Sequence, residues 1–308
     1  MSDRIENPDL RIDITSAALV KSDCSVWMRE ADTLMKQYNA LLGVQIHNSA
    51  LEEEYNTAIE AGYPLSFHSP VLGEYMMNFA AENPAVSWKM AAEQAEMMKK
   101  LQVKHSVFHA ALMTDKDIYA FGHGMTYHEC MRQSARPELL RDDCEFFVRD
   151  YTATDEYLMR RDRLKNNLKL LREKYPEFLW CVENDFPGHV AGVLRGSDLA
   201  YLDHPVCFDT GHMWATCKML DLDFYQEMEA AMASGNVKMI HLHASKHKFE
   251  SPAATWGDGH LPLNYPTDMD IPRIIRSCRD NNVKHVVFEI ADATTDDVKT
   301  VLRYYFED

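Results

Sequence analysis

Short apolar runs alternate along this chain with longer stretches of helical spacing, and the blocks predict strands interleaved with helices. The strand-like runs are Arg11–Thr15, Leu42–His47, Leu65–His68, Val103–Leu112, Phe178–Glu183, Val206–Asp209, Val237–Leu242 and Val283–Ile290. Between them, helices are predicted over Ser25–Tyr38, Leu51–Ala61, Ser87–Leu101, Thr154–Tyr175, Leu194–Leu202, Phe224–Ala233 and Ile271–Asp280. Gly62 and Gly235 stand where C-caps are expected. Strand–helix repetition of this kind favours a closed parallel (β/α)8 TIM barrel over a doubly wound sheet. No internal repeat or linker interrupts it, so a single domain over residues 1–308 is expected. Residues 113–150 are too polar and irregular for a simple crossover and read as an insertion after strand four, a lid or substrate loop over the barrel mouth.

Composition changes this picture only at its edges. A chain of 308 residues that is 46% hydrophobic fills one large barrel. No apolar run approaches the ~18 residues that span a bilayer, and the first ten residues are polar and acidic, so a cytoplasmic protein without a membrane partner is expected. The seven cysteines form no C-x-x-C pair and read as reduced thiols, with Cys181 and Cys207 buried on strands. A net charge of −16 argues against a broad phosphate-binding surface and makes nucleic acid an unfavoured partner, although bound divalent metals would reverse the sign locally. The G-x-x-x-x-G-K, G-x-S-x-G and H-E-x-x-H motifs are absent.

The chemistry concentrates where strands end. The run V-C-F-D-T-G-H-M, Val206–Met213, closes an apolar strand on Asp209 and sets His212 three positions later, past a two-residue turn. His68, His109, Glu183, His241 and Glu289 end five other strands in the same way, and a barrel gathers such residues at its C-terminal face. Asp258 and His260 join them from the loop behind strand seven, alternating about a glycine so that a locally extended chain aims both the same way. One strand-end histidine is usually a satisfied polar residue. Six strands ending in ligand-type residues are harder to dismiss, because like charges so close stay ionised only with a cation among them. Five imidazoles and four carboxylates suit a divalent metal such as Zn²⁺, Mn²⁺, Co²⁺ or Fe²⁺. Around this set, Lys246, Trp214, Trp256, His123 and His128 are candidate substrate contacts, as is His212 itself.

In their order, the pieces F-H-S-P, V-F-H-A, V-E-N-D, C-F-D-T-G-H, I-H-L, D-G-H-L-P-L and V-F-E-I resemble the xylose isomerase-like TIM-barrel superfamily, which includes the endonuclease IV type of AP endonuclease (family 2). They run from residue 65 to 290. The resemblance implies one of two chemistries. In a sugar isomerase or epimerase, Glu183, Asp209, His241 and Glu289 hold one metal, Glu183 and Glu289 pass a proton off and onto carbon, and His212 contacts a carbohydrate, sugar phosphate or polyol. In an endonuclease IV-like zinc phosphodiesterase, all nine residues hold a cluster of three ions. The expected reading is the isomerase or epimerase, with one to three divalent ions and a small-molecule carbohydrate substrate. The run F-P-G-H-V after Asp185 departs from the Gly-Gln-rich run expected of the DNA-repair members. A metal-binding barrel subunit of a larger enzyme is a third reading, and a homo-oligomer is compatible with the sequence.

Overall fold

Alternation within each strand decides what lies inside the barrel and what faces the helices. The structure is a computed structural model that describes residues 7–21, 24–109, 113–122, 125–192 and 194–308. Its strands are β1 (Leu10–Thr15), β2 (Ala40–Ile46), β3 (Leu65–Ser69), β4 (His105–His109), β5 (Leu179–Glu183), β6 (Val206–Asp209), β7 (Val237–His241) and β8 (His285–Phe288). All neighbours are parallel, and β8 pairs with β1 to close the ring in the order of the chain. Residues 110–112, at the end of the predicted fourth strand, lie outside the described residues.

Side chains of one parity, including Ile12, Val44, Phe67, Phe108, Val182, Phe208, Ile240 and Phe288, pack outward under the helices in the main core. The other parity fills the interior in tiers. Val107, Cys181, Cys207, Met239 and Val287 form a small apolar cluster of their own in the middle of the barrel. One step toward the N-terminal end lie Arg11, His105 and His285 around Asp13; one step toward the C-terminal end lie His109, Glu183, Asp209, His241 and Glu289. The same period of two therefore produces a charged floor, an apolar middle and a ligand-rich mouth.

The helices differ from expectation at one important place. A helix over Thr210–Leu220 begins immediately after β6, so His212 stands on its first turn and not on a loop. Asp209 is its N-cap: Oδ1 accepts the His212 backbone N–H at 2.6 Å. Thr210 and Gly211 read as a turn in the sequence because neither is a strong helix former. Helices over Tyr127–Arg132 and Thr295–Leu302 are also additional to the predicted set, each entered through a threonine N-cap that completes a capping box. No helix among the described residues is long and apolar enough to cross a membrane.

Candidate metal centre

At the C-terminal face the strands deliver their last inward side chains into one crowded space. Glu183 from β5 is its hub. Its Oε1 lies 2.6 Å from His241 Nδ1, and its Oε2 lies 3.0 Å from His68 Nε2 and 3.6 Å from His109 Nε2. His241 Nδ1 also faces Glu289 Oε1 at 3.2 Å and Asp209 Oδ2 at 3.6 Å. A second group stands beside the first: Asp258 Oδ2 lies 2.9 Å from His212 Nε2 and 3.1 Å from His260 Nε2. His260 Nε2 reaches back to Glu289 Oε2 at 3.5 Å, which joins the groups. The nine residues singled out in the sequence are thus brought together. Asp258 and His260 converge through a turn and not through extension, since His260 adopts φ 49°.

These groups are poorly satisfied by one another. Both Glu183 carboxylate oxygens, Asp209 Oδ2, Glu289 Oε1 and both His241 nitrogens are buried without an aligned hydrogen bond. Burial alone would raise the Glu183 carboxyl, but the surrounding His241, His109 and His68 imidazoles hold it well below the usual range. Burial likewise opposes charge on His212, yet Asp209 and Asp258 lift it well above the ordinary histidine value. Imidazole protons compensate the acids here, and a divalent cation does the same work with better coordination. Trios such as His68–His109–Glu183 and Glu183–Asp209–His212 place one donor atom each within 4.8 Å of the others, so the residues fit a divalent metal. The thiol of Cys207, near His241, is pushed up to about 12 by burial and stays protonated.

A hydrogen bond and a charge contact behind the mouth orient two of the rings. His212 Nδ1 donates to the Asn184 carbonyl at 2.9 Å, and His109 Nδ1 faces Asp185 Oδ1 at 3.1 Å. Each leaves its Nε2 toward the centre, the arrangement of a metal-ligating histidine. Asp185 also accepts the Tyr127 hydroxyl at 3.2 Å. A cavity of about 200 Å³ opens above, lined on one side by His68, His109, His212, Asp258, His260 and Glu289, and on the other by Phe121, Tyr127 and Phe186. Phe121 and Tyr127 come from residues 113–150, so part of that segment stands over the mouth.

Sequence reasoning missed three members. His47, the residue after β2, lines the cavity with Nε2 3.9 Å from Glu289 Oε1, and its Nδ1 receives the Ser49 backbone N–H at 3.2 Å. Asp185 buttresses His109, and His243 lies two residues past His241. Counting by twos along the strands reaches His47 from Gln45 and His243 from His241.

Other candidates fall elsewhere. Trp214 is core: its indole donates to the His247 carbonyl at 2.9 Å and packs edge-on against Phe249. Trp256 is buried and stacks on His247. These rings clamp the loop behind β7, and neither lines the cavity. Lys246 is exposed and outside the cavity lining. His128 stacks on Phe146, which is packed between it and Phe186. His123 lies outside the described residues.

No family model matches the chain, and no curated protein matches it in sequence. Solved structures do share its fold. A D-tagatose 3-epimerase-like protein superposes with a TM-score of 0.55 at 13% identity, covering 96% of this chain and 97% of that one. An AP endonuclease of family 2 from Brucella melitensis gives 0.54 at 9% identity, covering 96% and 99%. The IolI protein with a bound zinc atom gives 0.53 at 12% identity, covering 97% and 100%. At these identities the likeness is one of fold, and it extends over nearly the whole of each chain. The chain thus shares its closed parallel barrel with these proteins, as expected of the fold.

Proposed function

We propose that the chain is a divalent-metal-dependent enzyme with a multinuclear centre that hydrolyses a phosphate ester of small-molecule size. The observation that carries this reading is the placement of Glu183. Its side chain is fully buried, it does not line the cavity, and its two oxygens face imidazoles of different strands, His241 on one side and His68 with His109 on the other. A glutamate so placed would hold divalent cations together with His241 through one oxygen and with His68 and His109 through the other. A proton-transferring glutamate in a one-metal isomerase needs an oxygen open to a substrate carbon, and Glu183 does not line the cavity. The trio Asp258, His212 and His260 offers a further position that a one-metal site leaves unused.

Divalent ions held by these residues supply Lewis acidity toward a phosphoryl oxygen and acidify water. The chain's own residues do the rest. The Asn184 carbonyl accepts from His212 Nδ1 and Asp185 stands 3.1 Å behind His109 Nδ1, so both rings direct Nε2 toward the centre. Phe121, Phe186 and Tyr127 narrow the entrance, exclude bulk water and offer faces for the apolar part of a substrate. The roofed cavity and the −16 net charge support a compact substrate over a nucleic-acid duplex. The names of the fold neighbours include both chemistries, and the zinc in IolI supports that ion first.

One observation favours the isomerase or epimerase as a second reading. Glu289 lines the cavity beside His47, with room to reach a substrate C–H. Metal analysis of the zinc-reconstituted chain separates the two. More than one tightly held ion per chain, with turnover of bis(p-nitrophenyl) phosphate, is the expected result. A single ion, with solvent-proton exchange into a ketose and no phosphodiester cleavage, overturns the hydrolase reading in favour of the isomerase.

A further inference from the structure

His243 stands outside the nine residues that the sequence singled out, yet it is fully buried at their centre and forms a donor trio with His260 and Glu289. Its Nδ1 accepts the backbone N–H of His260 at 2.9 Å. A neutral imidazole with Nδ1 so occupied carries its proton on Nε2. That Nε2 lies 3.6 Å from Asp209 Oδ2 and 3.7 Å from Asp258 Oδ1, between carboxylates that belong to the two neighbouring groups of the mouth. The order at Nδ1 is the reverse of His212, whose Nδ1 donates to the Asn184 carbonyl at 2.9 Å and whose Nε2 faces Asp258 Oδ2 at 2.9 Å. His243 therefore turns its acceptor nitrogen to the loop backbone, where His212 turns a donor to its own.

We propose that His243 is a positioning residue of the metal centre and not one of its ligands. Its Nε2 edge stands between the Asp209 and Asp258 carboxylates and keeps them apart, while its Nδ1 pins the backbone that carries His260. One ring thus sets the distance between the end of β6 and the Asp258–His260 loop. The packing is built around it. A Cβ on Gly211 would stand 2.1 Å from His243 Cε1, and a Cβ on Gly259 would stand 2.9 Å from Nδ1 and 2.4 Å from the Ala244 carbonyl oxygen. Two glycines leave the space that the imidazole occupies, and His260 closes it edge-on at 4.7 Å between ring centres. The loop has a separate anchor, because Ala244 and Leu261 exchange backbone hydrogen bonds at 2.9 and 3.2 Å. Alignment of the carboxylates is thereby separable from attachment of the loop.

This rests on the metal-centre reading but not on the choice of reaction. The test uses the full chain loaded with Zn²⁺ or Co²⁺, compared with His243→Leu and His243→Gln; glutamine can accept at Oε1 and donate at Nε2. Long-range proton–nitrogen spectra of the zinc form should show His243 with its proton on Nε2. His243→Leu should still fill with Co²⁺ at saturation, with a changed d–d spectrum and an affinity lower by roughly 10–100-fold, the usual scale for a group behind a ligand. His243→Gln should recover most of that affinity, with unfolding temperatures showing that both variants fold. Loss of one whole ion in both variants, or a metal-shifted Nε2, would make His243 a ligand and overturn the proposal. Unchanged affinity in His243→Leu overturns it as well. A wild-type chain that takes up no ion overturns the metal-centre reading itself, which is a distinct result.

Discussion

Among single residues, Asp185 carries the sharpest consequence. It is buried directly behind His109, and nothing in its chemistry requires it to touch a metal. Its Oδ1, 3.1 Å from His109 Nδ1, sets a negative charge behind the ring, whose Nε2 points toward Glu183. Replacing Asp185 by alanine removes that charge and frees the ring to turn. We expect Asp185→Ala to weaken ion binding by roughly 10–100-fold, read by competition with a chromophoric chelator. Tyr127→Phe is the control, since it removes a hydroxyl from the same carboxylate and leaves the His109 contact intact. If Asp185→Ala binds ions as tightly as Tyr127→Phe does, the buttress is idle. The sequence pointed to His109 because it ends an apolar run. Asp185 was invisible by the same logic, since it follows Glu183 and Asn184 in a polar stretch where no strand period singles it out. Trp214 failed in the opposite sense: its place two residues from His212 suggested the site, but helical geometry turns it into the packing of Phe224 and Phe249.

At the level of elements, Asp209 has two duties that a substitution can separate. It ends β6 and caps the helix Thr210–Leu220, with Oδ1 on the His212 N–H and Oδ2 toward His241 and His243. Asparagine caps about as well as aspartate, whereas alanine in place of a cap costs about 1 kcal/mol. Asp209→Asn should therefore unfold in urea near the wild-type midpoint in the metal-free state, while Asp209→Ala falls by about that amount. Both should lose metal affinity, because neither offers an anionic oxygen to the centre. A metal-free Asp209→Asn protein as unstable as Asp209→Ala would show that charge, not capping, holds this junction. Strand positions were legible in the sequence because the apolar runs are short and end in polar residues. The helix after β6 was not, because its cap is also a site residue and its first turn is Thr-Gly. The inward tier of Val107, Cys181, Cys207, Met239 and Val287 was hidden for a related reason. In a barrel both faces of a strand are buried, so the run reads as continuous and its two parities look alike.

Across the whole molecule, charge is buried at both ends of the barrel interior, with an apolar layer between. The mouth gathers acids and imidazoles for an ion. At the floor the Asp13 carboxylate is satisfied by the protein alone: it accepts from Arg11 Nε at 2.7 Å and Nη2 at 2.9 Å, from Ser66, and from His285 Nε2 at 2.9 Å. Burial opposes ionisation of Asp13, but Arg11 and His285 outweigh it and keep the carboxyl well below its ordinary range. Burial holds His285 below the usual histidine value, with Asp13 offsetting only part, and pushes His105 down to about 3. The signs then agree. An imidazole neutral in the fold gains a proton on unfolding below pH about 6.5, so stability falls as pH drops through that point. A depressed carboxyl adds stability above pH about 4 and loses it below, so Asp13 is silent between pH 5 and 7. Glutamine at 285 keeps an amide donor for Asp13 and cannot titrate. Wild type should lose stability against His285→Gln between pH 7 and 5, approaching about 1.4 kcal/mol per pH unit below 6.5 while the native ring stays neutral. Urea denaturation at pH 7, 6 and 5 measures the difference, and the mouth histidines, common to both proteins, cancel from it. A stability difference that holds constant between pH 7 and 5 would mean that His285 titrates alike in the folded and unfolded chain, and one that moves in favour of wild type as pH falls would mean that His285 carries its proton in the fold, so that the floor is an ion pair and not a neutral donor set against Asp13.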